Sequence, residues 1–519
     1  MANTRPLELG LSEVVGILSL ATDLGTGLPL EHAIRTCLLS LELGHRVGLD
    51  ASDLSDLYYL TLLRMLGCTA DSHESAEYFF DEVAFGHDTQ HLDYGDPQEF
   101  GRWVMESFAA DQPSAVRQQM VAKMFTYTPE KRRAYLAGHC EVAQMLAARL
   151  GFGPPITAGL AYVYERWDGQ GAPNQVAGVD QPLSARIMNL CNEIEIHHRI
   201  GGSQGAIRMA QRRSGGAFEP VLVDLFCGDA ERILSVIEVR SSWDALLAAE
   251  PGRPRPLSPT ALAEAGRVMA DFADMKSVHT VHHSTRVADL VVGAGQATGL
   301  GDADLASLRL AAFAHDLGRV TVTAAIWDKD STLSESEWEK VRLHPYYSER
   351  ILGRAQGLAS VAGVAGMHHE RLDGSGYHRA AQAISQSAAA RLLAAADSYQ
   401  AMCENRAHRS ALEPDAAAAE LRGEAEAGRL DVDAVKAVLA AAGHRARPIR
   451  RPWPAGLSGR EVQVLRCVAR GLSIQAAATE LNLAPKTIDF HLQNIYSKAA
   501  ITTRAAATLF AIQNDLLPV

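Results

Sequence analysis

The sequence predicts an all-α protein, and three observations support that fold class. Apolar residues recur at spacings of three and four, the helical period, in stretches such as EVAQMLAARLG, ADLASLRLAAFAHDLG and DAVKAVLAAAG. These stretches often end at glycine, which terminates helices, and the period-two alternation of a half-buried strand is scarce. With 519 residues, of which 47 % are hydrophobic, the chain is long enough for about three domains with sizeable cores.

Two segments rich in proline and arginine, 250–260 and 444–454, are predicted linkers. They separate domains at 1–250, 257–443 and 455–519, with 444–454 as a basic linker. The net charge of −12 excludes a protein that coats nucleic acid along its whole length, whereas arginines clustered around the second linker suit a single DNA-binding module. No apolar run reaches the roughly 20 residues of a membrane span, and the N-terminus lacks a signal-peptide pattern. We therefore expect a cytoplasmic protein without a membrane partner.

The first two domains carry matching residues in the same order. RWDGQGAPNQVAGVDQPLSARIMNLCNEIE, at 166–195, parallels RLDGSGYHRAAQAISQSAAARLLAAADSYQ, at 371–400. Three pairs here share an offset of 205, namely Asp168 with Asp373, Arg186 with Arg391 and Asn192 with Asp397. Upstream, two pairs share an offset of 251, namely His32 with His283 and Arg64 with His315. A 46-residue insertion in the first copy reconciles the two offsets, and five matches on two fixed offsets indicate a repeated domain.

The second copy contains a dense set of potential metal ligands without thiolates. The set is His283, His315, Asp316, His344, His368, His369 and Asp397. Imidazole and carboxylate suit iron, manganese or zinc, and such a set suggests a hydrolytic dinuclear site in which metals activate water and bind phosphate oxygens. In a chain with 19 histidines a single His-Asp pair would be unremarkable, but the ordered set predicts a metal centre.

The motifs HHSTRVADL, AHDLGR, VRLHP, HHERLDGSGY and ARLLAAADSYQAMCENRAHRSAL resemble the HD-GYP subgroup of HD-domain phosphohydrolases, over roughly 257–443. The resemblance implies an all-helical domain that holds two or three metals and hydrolyses cyclic di-GMP or related cyclic dinucleotides. It makes the seven residues above the metal ligands, with Asp316 bridging the metals and helping to orient the water nucleophile. Arg319 stands where the family has a phosphate-binding lysine, and a guanidinium still contacts phosphate through two donors. We expect two divalent transition-metal ions, iron or manganese first, and a cyclic dinucleotide ligand.

The second copy departs from the family pattern at three places. His378 replaces the proline of Gly-Tyr-Pro, the following stretch RAAQAISQSA lacks the usual glycine-rich turn, and Gln400 replaces the second aspartate of the D-x-x-D motif. The metal set survives all three changes, so metal binding is better supported than cyclic di-GMP hydrolysis. His279, four residues before His283, would share its helical face and is either an extra ligand or a solvated histidine.

The first copy resembles the same family but has lost its chemistry. Arg64-Met65 replaces the His-Asp pair, Val163-Tyr164 replaces the His-His pair, and Asn192 replaces the last aspartate. Only His32 and His139 remain at ligand positions, and a protonated arginine cannot replace a metal ligand. We expect a degenerate, metal-free domain. Its retained ERWDGQGAP segment shapes a loop or preserves a small-molecule pocket, and the structural interpretation is favoured.

The C-terminal segment has the pattern of a helix-turn-helix domain. A first amphipathic helix carries Val462, Leu465, Val468 and Ala469 and stops near Gly471, and Ser473 caps a second helix. The turn 482–485 leads into a third helix with Pro485 at its first position. On that helix Ile488, Leu492 and Ile495 form a buried stripe, and Thr487, His491, Asn494 and Lys498 form a polar stripe. One docked face and one free polar face are what entry into the major groove requires.

This segment resembles the LuxR-type (GerE) family over almost its whole length, which implies a four-helix domain. The resemblance makes Lys486, Thr487, His491 and Lys498 the DNA contacts, some to phosphates and some to base edges. Such domains usually bind paired half-sites as dimers, which implies a homodimer.

Three functions follow from these patterns. We expect a DNA-binding transcriptional regulator whose HD-GYP-like body binds metal and senses or hydrolyses a cyclic dinucleotide or another phosphorylated ligand. The alternative is a metal-dependent cyclic di-GMP phosphodiesterase with an accessory DNA-binding domain. In a third interpretation, both body domains are interaction scaffolds with a structural metal.

Overall fold

The computed structural model describes residues 7–446, 453–514 and 516, and within them it contains helices and no β-strand, which confirms the all-α prediction. Arg447, Arg450 and Arg451 of the predicted basic linker lie outside the described residues. The helices of the first copy are α1 (Leu11–Gly25), α2 (His32–Arg46), α3 (Ala51–Leu63), α4 (Ser72–Phe79), α5 (Glu82–Thr89), α6 (Pro97–Glu106), α7 (Ser114–Met124), α8 (Pro129–Arg149), α9 (Pro154–Gly159), α10 (Leu183–Arg213), α11 (Pro220–Gly228), α12 (Ala230–Leu234) and α13 (Ser242–Ala248).

The rest of the chain supplies fourteen further helices among the described residues. The second copy contains α14 (Pro259–Asp274), α15 (His283–Ala297), α16 (Asp302–Ala314), α17 (Ala324–Trp327), α18 (Glu335–Arg342), α19 (His344–Leu352), α20 (Ala359–Ala365), α21 (Ala388–Met402), α22 (Pro414–Glu426) and α23 (Val432–Ala441). The C-terminal domain contains α24 (Gly459–Ala469), α25 (Ile474–Leu481), α26 (Pro485–Lys498) and α27 (Arg504–Gln513).

The repeat is visible at the entry to α2 and α15, where corresponding residues are 251 apart. The preceding residues, Glu31 and His282, both adopt the left-handed conformation, with φ of 73° and 65°. A buried aspartate fixes each turn: Asp23 accepts the backbone N–H of Ala33 at 3.1 Å, and Asp274 accepts that of Ser284 at 2.9 Å. Burial raises the pKa of Asp23 and of Asp274 to about 7. The same device therefore sets the direction of the first ligand-bearing helix in both copies.

A buried glutamate organises the loop downstream, at the offset of 205. Glu165 accepts the backbone N–H groups of 174, 175 and 176, and Glu370 accepts those of 379 and 381. Each glutamate therefore supplies acceptors for a loop backbone that has no helix or strand partner. The retained ERWDGQGAP segment of the first copy has this structural role.

The insertion of the first copy falls within the segment between Arg64 and His139, where α4 to α7 carry a separate aromatic cluster. Phe79 is buried there and stacks on Phe85 at a ring distance of 4.1 Å. Glu82, at the start of α5, extends from the insertion to the second copy and accepts a bond from Lys276 Nζ at 2.6 Å and from the backbone N–H of Ala324 at 2.9 Å. The insertion is thus attached to the segment that follows the His-Asp pair of the second copy.

The two copies share one continuous hydrophobic core, which includes buried residues from Leu9 to Ala365. The segment 250–257 between them is anchored on the first copy. Glu250 accepts bonds from the Tyr59 hydroxyl and the Ser12 hydroxyl, and Leu11 donates its backbone N–H to the Arg255 carbonyl at 2.8 Å. The copies therefore form one packed body.

The C-terminal domain has the predicted helix-turn-helix order. Gly471, with a φ of 89°, lies in the turn that follows α24. Ser473 Oγ accepts the backbone N–H of Ala476 at the start of α25. Helix α26 begins at Pro485 as predicted, and its stripe Ile488, Leu492 and Ile495 is buried in a core of its own. Helix α26 is thus held by its apolar face.

Candidate metal centre and DNA-binding helix

The seven predicted metal ligands come together because helix ends of the second copy meet at one point. His283 is the first residue of α15, His315 directly follows α16, and His344 is the first residue of α19. His368 and His369 follow α20, and Asp397 lies inside α21. All of them are buried except His369, which is partly exposed. A Cβ on Gly318 would lie 2.0 Å from the His344 carbonyl oxygen, so only glycine lets α19 approach the His-Asp turn this closely.

Three of the histidines are each oriented by the same kind of hydrogen bond. The Nδ1 atoms of His315, His344 and His368 lie 2.6, 2.7 and 2.6 Å from the carbonyl oxygens three residues earlier. Because a carbonyl oxygen only accepts, each Nδ1 carries the proton and each Nε2 presents a lone pair to the site. This arrangement fixes the tautomer that a metal ligand needs.

Asp316 lies between two groups of ligands. Its Oδ2 is 3.9 Å from His283 Nε2 and 3.5 Å from His315 Nε2. Its Oδ1 is 3.2 Å from His344 Nε2 and 3.5 Å from His368 Nε2. One carboxylate therefore faces both groups, the arrangement that two bridged cations require.

Asp397 also joins the two groups. Its Oδ1 lies 3.1 Å from His283 Nε2, and its Oδ2 lies 3.5 Å from His369 Nδ1. Within the described residues, three sets of possible ligand atoms lie within 4.8 Å of one another: His344, His368 and His369; His283, His315 and Asp397; and His315, Asp316 and His368.

The donor set fits cations. His344 Nε2 and His368 Nε2 lie 3.0 Å apart, and both rings carry their proton on the other nitrogen, so two lone pairs face each other. His315 Nε2 and Asp316 Oδ1 are buried, and no described residue donates a hydrogen bond to either atom. Buried acceptors without a donor are costly, and a cation between them removes that cost. The residues therefore fit the metal ions that the sequence predicts.

The protonation states of His315, His369 and Asp316 also suit metal ligands. Burial lowers the pKa of His315 to about 4, and burial with the neighbouring His368 holds the pKa of His369 well below its ordinary value. Burial opposes ionisation of Asp316, but the nearby His315 and Arg319 outweigh it and hold the pKa of this carboxyl well below its usual range. At neutral pH these rings are neutral and this carboxylate is charged, the states in which they bind metal.

Glu404 is a member of the site that sequence reasoning missed. Its Oε2 accepts the Nδ1 proton of His283 at 2.8 Å, and its other oxygen accepts a bond from Gln400 Nε2 at 2.7 Å. Burial lowers the pKa of His283, but its hydrogen bonds to Asp397 and Glu404 outweigh burial and raise it to about 10, so a metal ion that binds Nε2 would displace the proton held there. Glu404, four residues beyond Gln400, thus supplies the carboxylate that the altered D-x-x-D motif lacks. The absence of the second aspartate of the D-x-x-D motif, at Gln400, was the sequence signal that could have pointed to a nearby carboxylate.

Arg319, the predicted phosphate contact, lies beside the ligands. Its Nη1 is 3.4 Å from Asp316 Oδ2, and its guanidinium carbon lies 3.8 Å from the centroid of the Trp327 ring. The Tyr377 ring stacks on His369 at 4.4 Å. His378, in the position of the family's proline, has no hydrogen-bond partner on either ring nitrogen among the residues that the structure describes. A cation held on an indole face next to the ligands is suited to an anionic substrate.

His279 does not share a helix with His283. Helix α15 begins at His283, because His282 adopts the left-handed conformation, and His279 lies in the preceding turn. Its carbonyl oxygen accepts a bond from Arg406. The expectation that both histidines lie on one helical face was therefore wrong.

In the first copy, an arginine occupies the centre of the corresponding site. Arg64 Nη1 donates to Asn192 Oδ1 at 2.5 Å. His32 Nε2 lies 2.8 Å from the same oxygen, and His32 Nδ1 lies 2.5 Å from Glu195. His139 bonds the Tyr164 hydroxyl at 3.0 Å. The Arg64 guanidinium and the hydrogen-bonded pair His139 and Tyr164 thus occupy positions at which the second copy has metal ligands.

The structure places the four predicted DNA contacts along α26. Lys486 is exposed and Thr487 and His491 are partly exposed. Lys498 is exposed, but its Nζ donates to Glu461 at 2.8 Å and to the Gly456 carbonyl at 3.1 Å. Within the described residues Lys486 has no ion pair, whereas the ammonium group of Lys498 is engaged by Glu461.

The sequence and the site define the class of protein. The family model of the HD domain matches residues 113–213 and 267–434, more than half of the chain, so the protein belongs to the HD domain family. The model of bacterial regulatory proteins of the luxR family matches residues 455–511. No helix within the described residues combines the length and apolar composition needed to cross a membrane.

Several characterised proteins are similar to this chain. The 3′3′-cGAMP-specific phosphodiesterase 3 of Vibrio cholerae serotype O1 is 29 % identical over 421 residues, 80 % of this chain and 90 % of that protein. The 3′3′-cGAMP-specific phosphodiesterase 1 of the same organism is 35 % identical over 164 residues, 32 % of this chain and 38 % of that protein. The crystal structure of a cyclic GMP-AMP specific phosphodiesterase of Vibrio cholerae superposes with a TM-score of 0.59 at 25 % identity and covers 85 % of this chain and 99 % of that one. The prediction of tandem HD-GYP-like domains followed by a LuxR-type domain is confirmed.

Proposed function

We propose that the protein is a DNA-binding regulator whose second HD copy is a metal-dependent cyclic-dinucleotide phosphodiesterase. The observation that carries this proposal is Asp316, whose two carboxylate oxygens face two separate histidine groups. The named activities of the similar Vibrio cholerae proteins favour 3′3′-cyclic GMP-AMP as substrate, with cyclic di-GMP as the second candidate. Iron and manganese are the preferred metals, because the ligands are imidazoles and carboxylates without thiolates.

The residues divide the work as follows. Bound metal ions would activate water and neutralise charge on a phosphodiester. His283, His315, His344, His368, His369 and Asp397 would hold them together with Asp316. Arg319 is placed to bind a phosphate oxygen through its guanidinium, which Trp327 holds in position. Tyr377, stacked on His369, offers an aromatic face at the edge of the site.

The test is metal content and turnover of the full-length protein. Metal analysis of purified protein should find transition metal, and chromatography should show loss of cyclic GMP-AMP or cyclic di-GMP. His315→Ala and Asp316→Ala should each abolish turnover and lower metal content. His87→Ala, a solvent-exposed histidine, is the matched control and should change neither. Purified protein without metal after growth in manganese or iron would refute the proposal.

A sensor that binds without hydrolysis is the second candidate. Two observations favour it: His378 replaces the family's proline, and Arg319 replaces its lysine. Calorimetric binding of a cyclic dinucleotide to metal-loaded protein that shows no turnover would establish the sensor. Metal content with neither binding nor turnover would support the scaffold with a structural metal.

For the C-terminal domain we propose that α26 enters the major groove of double-stranded DNA and that a homodimer binds paired half-sites. A duplex selected from a random library provides the probe for fluorescence anisotropy. Lys486→Ala with His491→Ala should weaken binding sharply, whereas Lys436→Ala, an exposed lysine of α23, should not. Unchanged affinity in the double variant would refute the assigned helix. Light scattering of the protein and of its DNA complex tests the dimer.

A further inference from the structure

The first copy contains a large cavity where its metal site has been lost. The cavity has a volume of about 770 Å³, which lies within the usual range for small-molecule sites. Its floor includes Arg64, His139, Asn189 and Asn192, which belong to the former site and its surroundings. Another wall comes from α4 to α7, a segment that is 46 residues longer than the corresponding segment with α17 and α18 in the second copy. The copy without the metal ligands therefore has additional residues that enclose the corresponding position.

Nine phenylalanine and tyrosine residues contribute to the walls of the cavity. They are Phe79, Phe85, Tyr94, Phe100, Phe125, Tyr127, Tyr135, Tyr164 and Phe218. Phe125 is 67 % exposed, an unusual position for a large apolar side chain beside an otherwise packed aromatic cluster. Flat rings of a ligand stack well on such walls.

The cavity has unbalanced positive charge. Its acidic residues are engaged: Glu82 pairs with Lys276, Asp93 pairs with Arg166, Glu193 pairs with Arg213, and Glu165 accepts three backbone N–H groups. Arg64, by contrast, forms no ion pair within 4 Å in the described part of the chain, and its Nε is shielded from solvent without an acceptor. An enclosed guanidinium without a carboxylate is costly, so the floor is suited to an anionic group.

Two neutral groups on the floor also lack partners. Asn189 Nδ2 donates to the Tyr162 and Glu165 carbonyls, whereas its Oδ1 is buried and has no donor within the described part of the chain. Among the described residues His139 Nε2 is buried without a partner, and burial lowers the pKa of this ring to about 4, so it is neutral. Because the Tyr164 hydroxyl donates to Met65 Sδ and accepts from His139 Nδ1, Nε2 is an acceptor. A ligand that satisfies this floor carries an anion and also N–H or O–H donors.

We propose that this cavity binds a nucleoside phosphate. The phosphate would pair with Arg64, the base would stack on the aromatic wall, and donors of the base or ribose would satisfy Asn189 and His139. A nucleoside phosphate combines in one molecule the anion, the flat ring and the hydrogen-bond donors that the residues of the cavity are suited to contact. This site is separate from the metal centre and does not depend on catalysis there.

Calorimetry on the full-length protein tests the proposal. The second copy carries His315→Ala and Asp316→Ala, and EDTA is present, so that metal-dependent binding is removed. The probes are 5′-GMP, 5′-AMP and 3′3′-cyclic GMP-AMP, with guanosine, adenosine and inorganic phosphate as partial ligands. At least one nucleotide should bind one to one, and its nucleoside and free phosphate should each bind at least about tenfold more weakly.

Two variants locate the site. Arg64→Gln should lower nucleotide affinity by at least about tenfold, the effect of removing a charge-assisted contact to phosphate. Phe125→Ala changes an exposed side chain, should leave the melting temperature unchanged, and should lower affinity by about five- to tenfold through lost stacking. No nucleotide binding below about 1 mM, or binding that both variants leave unchanged, would overturn the proposal. So would a free nucleoside or inorganic phosphate that binds as tightly as the nucleotide.

Discussion

Glu404 should control metal affinity without touching a metal. In the structure it accepts the Nδ1 proton of His283, and Arg406 Nη2 lies 3.0 Å from the same carboxylate oxygen and 3.4 Å from His283 Nδ1. In Glu404→Ala the guanidinium becomes the neighbour of Nδ1. Because arginine only donates, Nδ1 then has no acceptor for a proton, so the neutral ring keeps its proton on Nε2 and presents no lone pair to the metal.

The magnitude follows from that rearrangement. Loss of a carboxylate that orients a metal-binding histidine typically costs about 10- to 100-fold in metal affinity. The tautomer change places Glu404→Ala near the upper end, about 100-fold, or about 2.8 kcal/mol at about 1.4 kcal/mol per tenfold change. Glu404→Gln keeps an acceptor and should lose about tenfold.

The assay is calorimetric titration of metal-free protein with Mn²⁺. A rescue variant sharpens it: in the first copy Glu195, at the position of Gln400, bonds the corresponding histidine directly at 2.5 Å. Adding Gln400→Glu to Glu404→Gln should therefore restore most of the affinity. Glu413→Ala, an exposed acid nearby, is the control. A change below about threefold in Glu404→Ala would refute the reasoning.

Two further predictions concern ion pairs. Glu82→Gln leaves the buried Lys276 without its carboxylate and should destabilise the body by about 3–5 kcal/mol in urea unfolding followed by tryptophan fluorescence. Glu77→Ala, which breaks an exposed pair in the same insertion, should shift the midpoint too little to resolve, and equal shifts would contradict this account. On DNA, Lys486→Ala should reduce affinity and lower the salt slope by about 1, whereas Lys498→Ala should do less because Glu461 holds that ammonium. A larger loss in Lys498→Ala would reverse the assignment.

The sequence was a good guide wherever a motif could be compared with its own copy. His283 and His32 were aligned by an offset of 251, and the structure places both at the first position of a helix. The helix starts at Pro485 and after Ser473 were predictable because capping chemistry is local. Local rules failed at His279, since they do not foresee the left-handed residue that separates it from α15.

Features built by distant residues could not be predicted in this way. Glu404 lies beyond the end of α21 and reaches His283 across 121 positions of sequence. Many aromatic residues of the first copy's cavity lie in α4 to α7, a segment 46 residues longer than its counterpart in the second copy, so comparison of the two copies did not reveal them. Both features depend on tertiary packing, to which a periodicity of three and four residues is insensitive.

Charge balance explains why the first copy could lose its metal ligands together. In the second copy Asp316 and Asp397 are buried among histidines, and uncompensated buried carboxylates are unfavourable, so this site is matched to cations. The first copy has Met65 and Asn192 at those positions, which removes both negative charges, and Arg64 at the position of His315, which adds a positive one. A single one of these changes would leave either a guanidinium beside metal ions or a carboxylate without them. The three changes together give a site that needs no metal, and the surplus guanidinium is then available to an anion from solution.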